Sequence, residues 1–197
     1  DNKIMQLEKE QAIFKKERIR AERKIAAGQG EIEKAKRTEA NLMRDLEYIN
    51  SYNGTKATLL LNLPQATIEE VGRELHRIAK TYRNEAYGTV GTYAGLNLLV
   101  RSEYSIDGTF DRNTFFVEGI SGLKYRCGLS GALPLGFVES AEYPHGALSK
   151  LSSLIEKQQK AVERIESEIP TLQDIICRQW SKADELSRLK QECKELQ

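Results

Sequence analysis

Residues 88–100 read GTVGTYAGLNLLV, with Gly88, Gly91 and Gly95 set ahead of an apolar run. Either these glycines cradle a phosphate or they give a strand backbone room. The first answer means a nucleotide-using enzyme, the second a non-catalytic module. A phosphate loop follows a strand and opens a helix, because the helix's first N–H groups and its dipole hold the anion. Here a helical pattern precedes and a strand-like run follows. The spacing is not G-x-G-x-x-G, and no G-x-x-x-x-G-K-[ST] occurs in the chain. Gly88 and Gly91 read as the exit from a helix and the turn into a sheet. Gly95 reads as a strand glycine, at a bulge or a close backbone approach.

Around this stretch the composition is that of a compact head. From SYNGTK to YPHG the chain holds all but two of its 14 glycines and three of its four prolines. KATLLLNL (56–63) is a short apolar run expected as a strand. TIEEVGRELHRIAKTYR follows as a helix: Thr67 and Glu70 form a capping box, and Ile68, Val71, Leu75, Ile78 and Ala79 make one apolar stripe. TYAGLNLLVRSEY, RNTFFVEGI and LKYRCGL then read as strands, separated by turn residues including Asp107-Gly108 and Ser121-Gly122. Leu98 and Val100 alternate with Leu99 and Arg101, and Phe116, Tyr125 and Cys127 follow the same period of two. The expectation is an α+β head, one helix on an antiparallel sheet of about four strands.

The flanks are helical. Residues 3–50 lack proline and carry a heptad-like seam of Ile4, Leu7, Phe14, Ala21, Ile25, Ile32, Ala35, Leu42, Leu46 and Ile49, interrupted at Gln11, Arg18, Gly28 and Glu39. Gly28 and Gly30 weaken a helix by roughly 1 kcal/mol each relative to alanine and mark a candidate bend. From Leu148 the pattern returns through Leu151, Ile155, Val162, Ile165, Ile169, Leu172 and Ile176, with Pro170 inside it. Ser181 with Asp184 signals a fresh final helix carrying Ala183, Leu186, Leu189, Cys193 and Leu196. "YPHG" is read as the start of the returning helix. The simplest way to bury two stripes of similar length is a long antiparallel coiled coil capped by the head. The expected divisions are 1–50 for the first helix, 51–143 for the head, and 144–197 for the C-terminal helices, with a break near 170–181. A second copy of the chain is the other way to bury the stripes.

Charge and cysteine content exclude several classes. Thirty basic and 29 acidic residues give a net charge of +1, so bulk charge argues for neither nucleic acid nor membrane. No apolar stretch approaches the roughly 20 residues that span a bilayer. Three scattered cysteines without a C-x-x-C pair fit a reducing cytoplasm. His76 and His145 lack metal-ligand spacing. No metal, cofactor or small-molecule substrate is expected. The chain begins at Asp1, already in a helical pattern, and reads as a piece of a longer protein.

No catalytic set emerges. Glu69, Glu70 and Glu74 share a helix, Asp107 and Asp111 flank a turn, and no G-x-S-x-G elbow is present. The basic residues point furthest. FKKERIRAERK (14–24) carries Lys15, Lys16 and Arg20, and the head helix adds Arg73, Arg77, Lys80 and Arg83. These seven are the candidate DNA-contact residues, against the alternative of a solvated face with i,i+4 pairs to glutamate. Phe115 and Tyr104 are candidate stacking aromatics.

The ordered pieces of residues 66–197 also resemble a known family. They are the helix Glu69–Lys80; Tyr93, Gly95 and Leu96; Val117, Gly119, Tyr125 and Leu129; Gly136, Val138 and Glu142; and a closing helix beginning DELSRL. In this order they resemble the C-terminal part of large phage and conjugative-element proteins that join a DNA methylase-like region to a Swi/Snf-type helicase region. Ser140 and Tyr143 stand where that family shows arginine and asparagine, and PHG is inserted. No methylase or helicase motif lies in this chain. The resemblance implies a bacterial, cytoplasmic, non-catalytic accessory segment that positions DNA or braces a motor, with the other domains of its parent protein as partners. A structural oligomerisation or protein-docking element, like the hinge of an SMC protein, is the alternative.

Overall fold

The computed structural model describes residues 2–128 and 132–195; Leu129 and Leu196, named above, lie outside them. In chain order the elements are α1 (Asn2–Ser51), β1 (Thr58–Leu60), α2 (Ile68–Thr81), β2 (Gly88–Tyr93), β3 (Leu96–Tyr104), β4 (Phe110–Glu118), β5 (Lys124–Arg126), α3 (Phe137–Leu148), α4 (Leu151–Cys177) and α5 (Ala183–Glu195). They fall into two compact units. One spans Arg37–Gln158; the other joins the chain up to Lys36 with the chain from Gln159 onward.

The Arg37–Gln158 unit is α+β. Its sheet is an antiparallel meander in the order β1-β2-β3-β4-β5, five strands where four were expected. The extra strand is the glycine stretch itself. GTVGTY is β2, so Gly88 and Gly91 lie in a strand and not in a helix exit. Gly91 pairs with Leu60, and a Cβ there would collide with the Leu59 carbonyl oxygen. Ala94 and Gly95, with φ of 48° and 74°, make a two-residue turn from β2 into β3. Gly95 is therefore a turn glycine, and the bulge lies between Thr89 and Gly91.

One sheet face packs on helices. Leu98, Val100, Phe115, Val117, Tyr125 and Cys127 meet Val71, Leu75 and Ile78 of α2. The Thr67–Glu70 capping box is formed. A second helix, α3, joins this layer, so the unit has more than the one expected helix. YPHG lies inside α3, with Pro144 buried, and does not begin a new helix. The two helices approach backbone to backbone: a Cβ on Gly72 would collide with the Phe137 carbonyl oxygen. The end of α1 contributes Leu42, Leu46 and Ile49 to the same core, and the start of α4 contributes Leu151, Leu154 and Ile155.

In the other unit, α1 runs through Gly28 and Gly30 without a break. A Cβ on Gly28 would sit 3.0 Å from Ile165 Cγ2, so glycine here admits α4. Leu7, Ala21 and Ala35 of the seam are buried, as are Val162 and Leu186. Ion pairs link Lys24 with Glu168, Glu10 with Lys182, Lys3 with Glu185 and Lys190 with Glu8. Helix α4 passes Pro170 and ends at Cys177, and α5 begins at Ala183.

Candidate nucleic-acid interface

The seven candidate contact residues divide between the two units. Lys15, Lys16 and Arg20 are on α1, all exposed. Arg18 pairs with Glu22 and Lys24 with Glu168. Lys15, Lys16, Arg20 and the neighbouring Arg23 have no ion-pair partner among the described residues. Lys16, Arg20 and Arg23 stand at i, i+4 and i+7, which places them on one helix face. Together they make an unneutralised basic stripe.

The α2 set is more engaged. Arg77 grips Glu74 with two nitrogens, Nε at 2.8 Å and Nη2 at 2.5 Å, and the guanidinium holds that carboxyl below its usual range. The Arg73 guanidinium lies 5.3 Å from the centre of the Phe137 ring. Arg83 follows the helix and stacks 3.5 Å over Phe110. Lys80 is exposed in the last turn. Of the aromatics, Tyr104 is half-exposed and edge-on to Phe110, but Phe115 is buried in the core at 2% exposure. Its neighbour Phe116 takes the outer sheet face instead. There Phe116 meets Tyr87 edge-to-face, with Arg101 and Lys124 5.1 and 5.0 Å from the Tyr87 ring centre. Carboxylates temper this face: Glu103 binds Arg126 and Arg112, and Glu118 binds Lys124.

Several other titratable groups have structural partners. Glu70 caps α2. Asp107 accepts from the Thr109 N–H and hydroxyl, which lower its pKa. His76 Nε2 is 2.9 Å from Ser140 Oγ. Among the described residues, no group of three or more His, Cys, Asp or Glu is placed to hold a metal ion, and no helix is long and apolar enough to cross a membrane.

Two features escaped the sequence reading. Asp45 of α1 is fully buried, accepting from the Ser121 N–H at 2.9 Å and from the Ser121 and Tyr125 hydroxyls at 2.5 Å each. Burial and the Asp45 carboxylate push the Tyr125 hydroxyl far above its ordinary pKa. The available signal was an aspartate on the stripe of Leu42, Leu46 and Ile49. The second feature is a cleft of about 560 Å³ between β1, α2 and α3. At its base the Tyr93 hydroxyl is 3.1 Å from His145 Nδ1. Burial, with Glu142 adding, raises the Tyr93 pKa.

No curated protein and no solved structure matches this chain. A family match does exist, described as Domain of unknown function (DUF8438), over residues 44–148. It begins one residue before Asp45 and takes in all five strands with α2 and α3. Because the match covers just over half of the chain, the protein belongs to the DUF8438 family.

Proposed function

We propose that this chain is a non-catalytic accessory module of a DNA-processing protein, which contacts DNA through the exposed basic face of α1. The observation that carries the reading is the stripe of Lys16, Arg20 and Arg23, with Lys15 beside it, lacking intramolecular carboxylate partners. A cation already held by glutamate must exchange one partner for another, whereas these need only release counterions on meeting phosphate. The resemblance of residues 66–197 to methylase–helicase proteins supplies the DNA-processing context. Fluorescence anisotropy with a labelled duplex tests the proposal. Binding is expected at about 50 mM salt and should weaken steeply by about 200 mM. The triple variant Lys16→Glu, Arg20→Glu, Arg23→Glu should flatten the salt dependence by up to about 0.9 per lost contact. Failure of the unmodified chain to bind at low salt would remove direct DNA contact.

A second reading is favoured by the cross-helix ion pairs. We infer that α1 and α4 form an antiparallel coiled coil closed within one chain, serving as a brace or docking arm. Lys24 opposite Glu168 and Gly28 opposite Ile165 support the antiparallel sense, since one number falls as the other rises. Light scattering should then give a monomer at all concentrations; a stable dimer would move the stripes' partner to a second copy.

A further inference from the structure

We propose that the cleft between β1, α2 and α3 binds a small zwitterion with a large apolar side chain, of the class of an aromatic α-amino acid. The volume of about 560 Å³ falls within the range of roughly 300–1,000 Å³ typical of small-molecule sites. Its walls are apolar: Ala66, Val71, Leu59 and Ile68, the last two left 50% and 47% exposed. Such walls offer burial to an apolar side chain, at about 25 cal/mol per Å² covered.

The charged groups narrow the ligand further. Lys56 lines the cleft from the chain entering β1, and Glu142 from α3. Lys56 donates only and carries a positive charge, whereas ionised Glu142 accepts only. A simple anion would gain Lys56 but meet Glu142; a simple cation would face the reverse. A molecule bearing one charge of each sign, with net charge near zero, satisfies both. The same cleft is lined by the Tyr93–His145 pair. Its hydrogen bond runs in either direction according to the imidazole tautomer, so the pair presents a donor or an acceptor as the ligand requires. The floor is preorganised. Tyr93 directly precedes the fixed Ala94–Gly95 turn, and the Thr58 hydroxyl ties β1 to α3 by donating to the Ala141 carbonyl at 2.5 Å. The inference does not depend on DNA binding.

Isothermal titration of the full chain with L-phenylalanine provides the test. Saturable binding is expected, with Tyr93 and His145 resonances shifting in NMR spectra of the same titration. N-acetyl-L-phenylalanine lacks the ammonium and L-phenylalanine amide lacks the carboxylate. Each should bind about tenfold more weakly, the scale of a lost charged hydrogen bond. Glu142→Gln and Lys56→Met should each cause a similar loss for L-phenylalanine. Absence of saturation up to about 10 mM would overturn the proposal, being weaker than any useful site of this type. Binding of either analogue as tight as that of L-phenylalanine would overturn it as well, and that comparison uses the unmodified protein, so it stands even if a variant fails to fold.

Discussion

Glycine substitutions give the sharpest residue-scale contrast, because the same change has opposite signs at two helical positions. Gly30 lies inside α1, and a Cβ there meets nothing within 4 Å. Gly30→Ala should therefore stabilise the protein by about 1 kcal/mol through helix propensity and a less flexible unfolded chain. Gly72 lies inside α2, where propensity alone predicts the same gain. There the added carbon would strike the Phe137 backbone, which cannot swing aside as a side-chain tip would. Prying α2 from α3 should cost about 2 kcal/mol or more, outweighing the propensity term. Urea denaturation of the two variants checks the pair. If Gly72→Ala were as stable as Gly30→Ala, the close helix approach would be wrong.

At the scale of elements, Asp45 explains how the C-terminal end of α1 is fastened to the sheet. Its carboxylate takes three hydrogen bonds from Ser121 and Tyr125, which bracket the turn into β5. Gly119 makes room, since a Cβ there would collide with the carboxylate. Asp45→Ala leaves buried donors without a partner and should cost about 3 kcal/mol, read as a lower urea midpoint with an unchanged slope. An unaltered midpoint would mean that water replaces the carboxylate freely. This fastening shows where sequence reasoning reaches its end. Periodicity reported α2 and its capping box, because both are local: the apolar spacing and the Thr67–Glu70 exchange lie within one turn. It also placed Leu98 and Val100 inward. It missed β2, because glycines carry no side-chain pattern, and Gly91 is there to admit the Leu59 backbone of another strand. It put Phe115 outward and Phe116 inward, since two adjacent phenylalanines give no phase until β4 is registered against β3. The Asp45 network and the Tyr93–His145 cleft join residues 76 to 80 and 52 positions apart, beyond the reach of any local pattern.

For the whole molecule, the decisive matter is where the independently stable part ends. Composition places the head at 51–143, where glycine and proline are concentrated, but composition reports turns and not packing. The compact unit runs Arg37–Gln158. The added flanks carry Leu42, Asp45 and Leu46 on one side and Ala147, Leu148 and Leu151 on the other. All but Asp45 pack in the hydrophobic cluster, and Asp45 anchors the β4–β5 turn. A fragment of residues 37–158 should therefore unfold in one cooperative transition. A fragment of residues 51–143 loses three fully or nearly fully buried leucines, Leu42, Leu148 and Leu151. At roughly 2–5 kcal/mol for each large buried side chain removed, that loss rivals the entire stability of about 5–15 kcal/mol that a domain of this size has. The shorter fragment should lack a cooperative thermal transition and show poor amide dispersion in NMR spectra, whereas the longer one should show both hallmarks of a native fold. Cooperative folding of the 51–143 fragment would mean that the sheet and α2 suffice, and that the ends of α1 and α4 rest on a core already complete.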